Sequence, residues 1–285
     1  MIKINNLYFK YTGNWLFNNL RLEIKTDNIY GLLGKNGAGK TTLLKIITGQ
    51  LFPKEGNCKI YDIDSRKRLP DILSKIYFLP EDFHLPDLTP IKYSKVFSPF
   101  YPNFSNEDFK KHLSDFEIES GKSLSSMSYG QKKKFLIAFG ASTNCEIILL
   151  DEPTNGLDIP SKTQFRRLIS SIVNNERLIL ISTHQVRDME QLIDPIIIID
   201  NGKIILNESI ESITSKISMV LSPEDISAPD VMYKEKVPGG YAIVYEKPGP
   251  TLNIDIEILF NAVLANKEKL KSIFNGSSYK IGAKK

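Results

Sequence analysis

The sequence predicts an α/β fold built on a sheet that is covered on both faces. Three observations carry that expectation. The strongest apolar runs, at 147–150 and 196–199, are unbroken by polar residues, as in strands buried on both sides. The run Ile29-Tyr30-Gly31-Leu32-Leu33 leads into a glycine-rich turn and then into helical spacing, so strand, loop and helix follow one another. Residues 1–31 otherwise alternate apolar and polar positions (Ile2, Ile4; Leu20, Leu22, Ile24), the period-two pattern of half-exposed strands.

The elements follow in order. Residues 41–49 have helical spacing through Leu43, Leu44 and Ile47 and stop at Gly49, which suits a C-cap. Further strands are expected at 58–63, 75–79, 146–150, 178–182 and 195–200. Between Leu79 and Glu146 the chain turns to Pro, Ser and aromatic residues and then to helical patterns such as 107–116, so about 84–140 is expected to be an inserted, mostly helical subdomain. Beyond Leu206 the character changes again. Residues 209–245 carry turn signals (Ser222-Pro223, Ala228-Pro229, Pro238-Gly239-Gly240) and short β-like pieces. A helical stripe then spans 254–274 through Ile256, Leu259, Phe260, Val263, Leu264, Leu270 and Ile273, and the polar residues 276–285 are expected to fray. The division expected is a main domain over 1–208 and an accessory domain over 209–285.

Bulk properties narrow the function classes. A formal net charge of +4, from 37 basic and 33 acidic residues, lacks the concentrated positive charge of a dedicated nucleic-acid binder. Cys58 and Cys145 are the only cysteines and belong to no CxxC or Cys/His cluster, which argues against a zinc site or disulfide framework and fits a reducing compartment. The start Met1-Ile2-Lys3-Ile4-Asn5-Asn6 lacks the apolar stretch of a signal peptide. The apolar runs are far shorter than the ~20 residues needed to cross a bilayer. If the chain works at a membrane, another polypeptide must supply the spans.

Gly34-Lys35-Asn36-Gly37-Ala38-Gly39-Lys40-Thr41 matches G-x-x-x-x-G-K-[ST]. Glycines let backbone N–H groups turn inward as a nest for a β-phosphate, and the following helix aims its positive end at the same anion. Lys40 supplies a mobile ammonium for the β/γ-phosphates, and the Thr41 hydroxyl is a ligand for Mg²⁺. Downstream, the apolar strand Ile147-Ile148-Leu149-Leu150 ends in Asp151-Glu152. A buried strand ending in carboxylates needs a counter-charge, and MgATP supplies one. Asp151 then holds Mg²⁺, and Glu152 is placed to take a proton from an attacking water. Met127-Ser128-Tyr129-Gly130-Gln131 opens an amphipathic run (Phe135, Leu136, Ala138, Phe139), and Ile181-Ser182-Thr183-His184 ends another apolar strand where a histidine could reach a γ-phosphate.

The order and spacing of these motifs over about residues 1–208 resemble the ATP-binding-cassette (ABC) ATPase family, of the exporter type with a C-terminal extension. The resemblance implies a P-loop NTPase (ABC ATPase) core with an N-terminal antiparallel β-subdomain, a helical insert and a small C-terminal α+β extension. ATP and Mg²⁺ are the implied cofactors. Tyr11 is similar to the aromatic that stacks on adenine, and Thr42 joins Asn36, Gly37, Ala38 and the rest of the loop among the nucleotide contacts. Ser128, Gly130 and Gln131 look like the signature that meets the γ-phosphate of the other protomer. Gly156-Leu157-Asp158 looks like the loop that crosses that interface, and His184 looks like the switch histidine. His84 and His112 have no such context and read as surface residues, and Lys132-Lys133-Lys134 reads as a solvated helix start, with a place facing the neighbouring nucleotide as the alternative the resemblance allows.

Three positions depart from the family pattern. Glu81 stands where Gln is usual after the strand Ile76-Tyr77-Phe78-Leu79; the metal role carries over, but a carboxylate cannot donate to the attacking water. Met127 and Tyr129 stand where Leu and Gly are commonest. The resemblance implies an ATP-hydrolysing transporter subunit that pairs head-to-tail with a second copy or with a closely related ATPase chain, on separate transmembrane permease subunits, cytoplasmic and peripheral at the membrane. Glu81, the Ser-Tyr-Gly-Gln signature, the tail and the segment Asp255-Ile256-Glu257-Ile258-Leu259-Phe260-Asn261 look like export; import is the alternative. A second alternative is a soluble ABC ATPase acting on ribosomes, DNA or a protein assembly, and a third is a cassette that binds ATP without hydrolysis.

Overall fold

The computed structural model describes residues 1–248 and 254–275. Along the chain run β1 (Ile2–Phe9), β2 (Phe17–Ile24), β3 (Ile29–Leu33), α1 (Lys40–Ile47), β4 (Glu55–Ile60), β5 (Ile63–Asp64), α2 (Pro70–Leu73) and β6 (Ile76–Leu79). A helical stretch follows, α3 (Pro90–Phe97), α4 (Asn106–Asp115) and α5 (Tyr129–Ser142), then β7 (Ile147–Asp151), α6 (Ile159–Ile172), β8 (Leu178–Thr183), β9 (Ile196–Asp200) and β10 (Lys203–Glu208). The remainder is α7 (Ile210–Thr214), β11 (Ser218–Ser222), β12 (Val231–Val237), β13 (Gly240–Tyr245), α8 (Ile256–Ala265) and α9 (Lys267–Asn275).

The central sheet has six strands in the order β10-β9-β3-β8-β7-β6. Its strands are parallel from β9 to β6, and β10 returns antiparallel on β9. Side chains alternate across a strand, so each apolar run divides between two cores. Tyr30, Leu32, Ile147, Leu149, Ile197 and Ile199 face α1 and the antiparallel sheet β2-β1-β4-β5. Ile29, Leu33, Ile148, Leu150, Ile196 and Ile198 face the helical side. This double burial is why the runs carry no polar alternation.

The segment expected as one strand at 58–63 is instead β4, a turn at Tyr61-Asp62 with both residues at positive φ, and β5. The stripe at 254–274 is broken at Asn266 into α8 and α9, because the Asn266 amide turns to Met232 O (2.9 Å). The β-like pieces form a three-stranded antiparallel sheet, β11-β13-β12, with Pro238-Gly239 in the β12–β13 turn. Its apolar residues share one continuous core with α8 and with Val186, Met189 and Ile193 of the segment after β8. The expectation for 276–285 lies outside the described residues.

Two expectations about charged or polar residues are overturned. His112 is buried, not on the surface: it lies on the face of α4 turned to α5, and its Nδ1 pairs with Ser142 Oγ at 3.1 Å. Burial pushes its pKa down, favouring the neutral ring. Lys133 is fully buried, so Lys132-Lys133-Lys134 is not a uniformly solvated start of α5. Lys133, Ile137 and Gly140 share the i, i+4, i+7 face of the helix, and that face is turned inward. His84 is exposed, as expected.

The helical side is held by aromatic packing. Phe139 on α5 meets the rings of Tyr77, Tyr93, Tyr101, Phe104 and Phe109 at centroid distances of 5.1–6.2 Å. Phe139→Ala should therefore cost about 3–5 kcal/mol, read as a lowered midpoint in urea denaturation.

Candidate active site

The site collects at the C-terminal ends of β3, β7 and β8, where ligands gather in open parallel sheets. The turn after β3 delivers the glycine loop to α1. Gly39, the N-cap, has φ +107°, and a Cβ there would stand 2.7 Å from the Phe17 ring. No side chain caps α1, so its first N–H groups remain available to an anion. The buried Lys40 ammonium donates to Gly34 O at 2.8 Å and lies 3.5 Å from Glu152 Oε1.

β7 delivers Asp151 and Glu152, both buried. Thr41 Oγ1 donates to Asp151 Oδ2 at 2.6 Å, and the Ser182 hydroxyl donates to Asp151 Oδ1. Glu152 lies at φ +46°, a left-handed conformation that costs an L-residue roughly 1–2 kcal/mol. Its N–H donates to Ser182 O at 3.0 Å; its carbonyl accepts from Asn155 N at 3.2 Å and from Lys133 Nζ at 2.9 Å. The carboxylate meets His184 Nδ1 at 2.8 Å and the His184 backbone N–H at 3.4 Å. A nucleophilic water's proton, an anion's charge and a ring N–H can thus converge on one point.

A cleft of about 660 Å³ opens over this cluster, lined by Tyr11, Trp15, Asn36, Gly37, Gly39, Lys40, Thr41, Thr42, Glu81, Glu152 and His184 among others. Tyr11 stands 60% exposed at its mouth, its hydroxyl 3.0 Å from Thr42 Oγ1 and its ring edge-on to Phe9. Glu81 borders the cleft, but its Oε1 accepts from Asn155 Nδ2 at 3.1 Å.

Of the residues expected at this chain's own nucleotide, Gly34, Ala38 and Asp151 are not among the cleft's lining, and those expected at the other protomer's site stand apart from it. Ser128, Gly130, Gln131 and Asp158 lie outside its lining. Ser128 caps α5 in a reciprocal capping box with Gln131, and Asp158 caps α6 by accepting from Ser161 N at 2.8 Å; the Ser161 side chain, and then its backbone N–H, hold the Asp158 carboxyl below the usual range. A Cβ on Gly130 would approach Gly156 O to 2.8 Å, so the start of α5 packs closely on the loop after β7. Tyr129 stacks on Phe83 at 5.2 Å and donates its hydroxyl to Glu81 O at 2.8 Å, tying the same start to the segment after β6.

Trp15, Ser182, Asn155 and Lys133 were missed in the sequence. Trp15 is the chain's single tryptophan and is close in sequence to Tyr11. Lys133 shares a helical register with Ile137 and Gly140, but only the packing of α5 shows that this face turns inward. Ser182 and Asn155 reach the site only through strand pairing and turn geometry.

The ABC transporter family profile matches residues 17–155. The energy-coupling factor transporter ATP-binding protein EcfA2 of Clostridium tetani is 30% identical over 297 residues, spanning 97% of this chain and 98% of its own length. This chain belongs to the ABC transporter ATP-binding family. The cassette is also 31% identical over 209 residues to the human glucosylceramide transporter ABCA12, of which it spans 8% of the length. Its structure resembles the dimeric structure of MJ0796, a bacterial ABC transporter cassette, with a TM-score of 0.65, 26% identity, and coverage of 73% of this chain and 98% of that one.

The cassette's donors fit a magnesium nucleotide. Thr41 and Asp151 are hard oxygen donors already in contact, and Mg²⁺ characteristically takes one or two carboxylates with phosphate and water. Among the described residues no three His, Cys, Asp or Glu form a separate metal cage. Gly39→Ala, which forces a Cβ into the Phe17 ring, should weaken ATP binding by at least about tenfold, measured by calorimetric titration.

Proposed function

We propose that the cassette hydrolyses ATP at two composite sites formed by head-to-tail copies and couples closure to transport through separate membrane subunits. One observation carries this: Lys40, Glu152 and His184 converge on a cleft above α1, while Ser128, Gly130 and Gln131 sit outside it with their backbone turn pre-formed. In a head-to-tail pair the start of α5 would complete the neighbour's site.

Water attacks the γ-phosphorus, the bond from that phosphorus to the β,γ-bridging oxygen breaks, and ADP leaves with the electron pair. Glu152 accepts the water's proton as general base. Lys40 offsets charge on the β/γ-oxygens. His184, already bonded to Glu152, orients that carboxylate and presents its ring to the γ-phosphate. The glycine loop from Gly34 through Ala38 and Gly39, with Thr42, holds the phosphates, and Tyr11 with Trp15 forms the platform for the base. Mg²⁺ neutralises phosphate charge when bound; Thr41 and Asp151 would hold it, with Glu81 as a further oxygen donor.

Asp158 begins α6 beside the surface that would meet the second copy. The membrane spans would come from separate subunits; among the described residues no helix is long and apolar enough to cross a bilayer. In this reading the cassette works at the cytoplasmic face, with 1–208 as the ATPase unit and 209–285 as an accessory unit. Glu81, the Ser-Tyr-Gly-Gln signature and the tail support export. Glu152→Gln should slow steady-state hydrolysis by ~10²–10⁴ and leave ATP affinity within about twofold. Parental activity should rise more than linearly with protein concentration; a linear rise, or a Glu152→Gln variant at the parental rate, contradicts the reading.

A further inference from the structure

Lys133 is out of place by the ordinary rules of burial. Lysine is almost never fully enclosed unless paired, yet this side chain is 0% exposed. Among the described residues it forms no carboxylate ion pair within 4 Å. Its hydrogen bond goes to a backbone carbonyl, that of Glu152, at 2.9 Å, and its ammonium lies 5.0 Å from the centroid of the Tyr129 ring. Burial lowers its pKa, opposed by the negative groups around it, Glu81, Glu152, Asp151 and Asp82.

The carbonyl it holds belongs to the residue that most needs holding. Glu152 occupies the left-handed region, where an L-residue persists only if its surroundings fix it. Its N–H is tied to Ser182 and its carbonyl to Asn155 N, and neither of these neutral bonds matches a charge-assisted one. The carboxylate on the other side of the same residue faces Lys40 and His184. The backbone of Glu152 is therefore gripped from behind while its carboxylate is presented in front.

We infer that Lys133 is a positioning residue for hydrolysis, which fixes the backbone of Glu152 so that the carboxylate meets the attacking water. This rests on Glu152 being the base. Lys133 acts from α5, the same helix whose start carries Ser128, so a shift of that helix moves the grip on Glu152. Tyr129 covers the ammonium on that helix and bonds to Glu81 O, which joins the segment after β6 to the same support.

The test is a double-mutant cycle on steady-state hydrolysis, with ATP affinity measured alongside. Lys133→Met keeps the stem and removes a buried charge, a change proteins often tolerate; Lys133→Leu serves if the methionine variant is not recovered able to bind ATP. In the parental background, kcat should fall at least tenfold while ATP affinity changes less than twofold. Lys133→Gln, which keeps an N–H donor, should recover part of that loss. In the Glu152→Gln background, Lys133→Met should lower the residual rate less than twofold, because its effect passes through Glu152. A parental kcat in Lys133→Met, beside a slow Glu152→Gln, overturns the inference alone. An equal fold-loss in both backgrounds also overturns it, since a merely structural role would act on both. A Glu152→Gln variant at the parental rate would remove the functional reading and the inference with it.

Discussion

Two carboxylates at the buried end of β7 set the terms for the rest of the structure. Charge in a protein interior is tolerated only where partners replace water. Asp151 is met by the Thr41 and Ser182 hydroxyls, and Glu152 by Lys40, His184 and, through its carbonyl, Lys133. These partners come from α1, α5, β8 and the residue after β8. No one of those elements can move far without exposing or orphaning charge. The parallel sheet places all of them on one edge, which is why a fold with two apolar cores ends in a polar cluster.

The same constraint links segments that would otherwise be independent loops. The start of α5 touches the segment after β6 through Tyr129 and the loop after β7 through Gly130. Glu81 answers to Asn155 on that loop. Two of the residues that depart from the family pattern, Glu81 and Tyr129, are therefore joined directly, the Tyr129 hydroxyl donating to Glu81 O. The C-terminal segment is tied to the stretch after β8 as well: Glu190 accepts from the first N–H of α8 at 3.0 Å.

Much of this was legible in the sequence because it depends on local rules. The glycine loop, the acids after an apolar run and the histidine at a strand end are each set by a strand meeting a turn, and period-two patterning separates exposed from doubly buried strands. What escaped depends on tertiary context. Lys133 looks solvated inside Lys132-Lys133-Lys134 until the helix register is laid over the burial of Ile137 and Gly140. His112 hides its burial because α4 turns that face to α5. The break at Asn266 was invisible because the apolar stripe continues through it, while the amide that ends α8 bonds to a distant strand.

Whether the carboxylate cluster receives a magnesium nucleotide can be measured by thermal unfolding of the parental chain and of Asp151→Asn. Melting temperature would be followed with ATP plus Mg²⁺ and with ATP plus EDTA, since a ligand that binds only the folded state raises it. A larger rise is expected with Mg²⁺ present in the parental chain, and loss of that difference in Asp151→Asn. An equal rise with and without Mg²⁺ in the parental chain would contradict a magnesium nucleotide there.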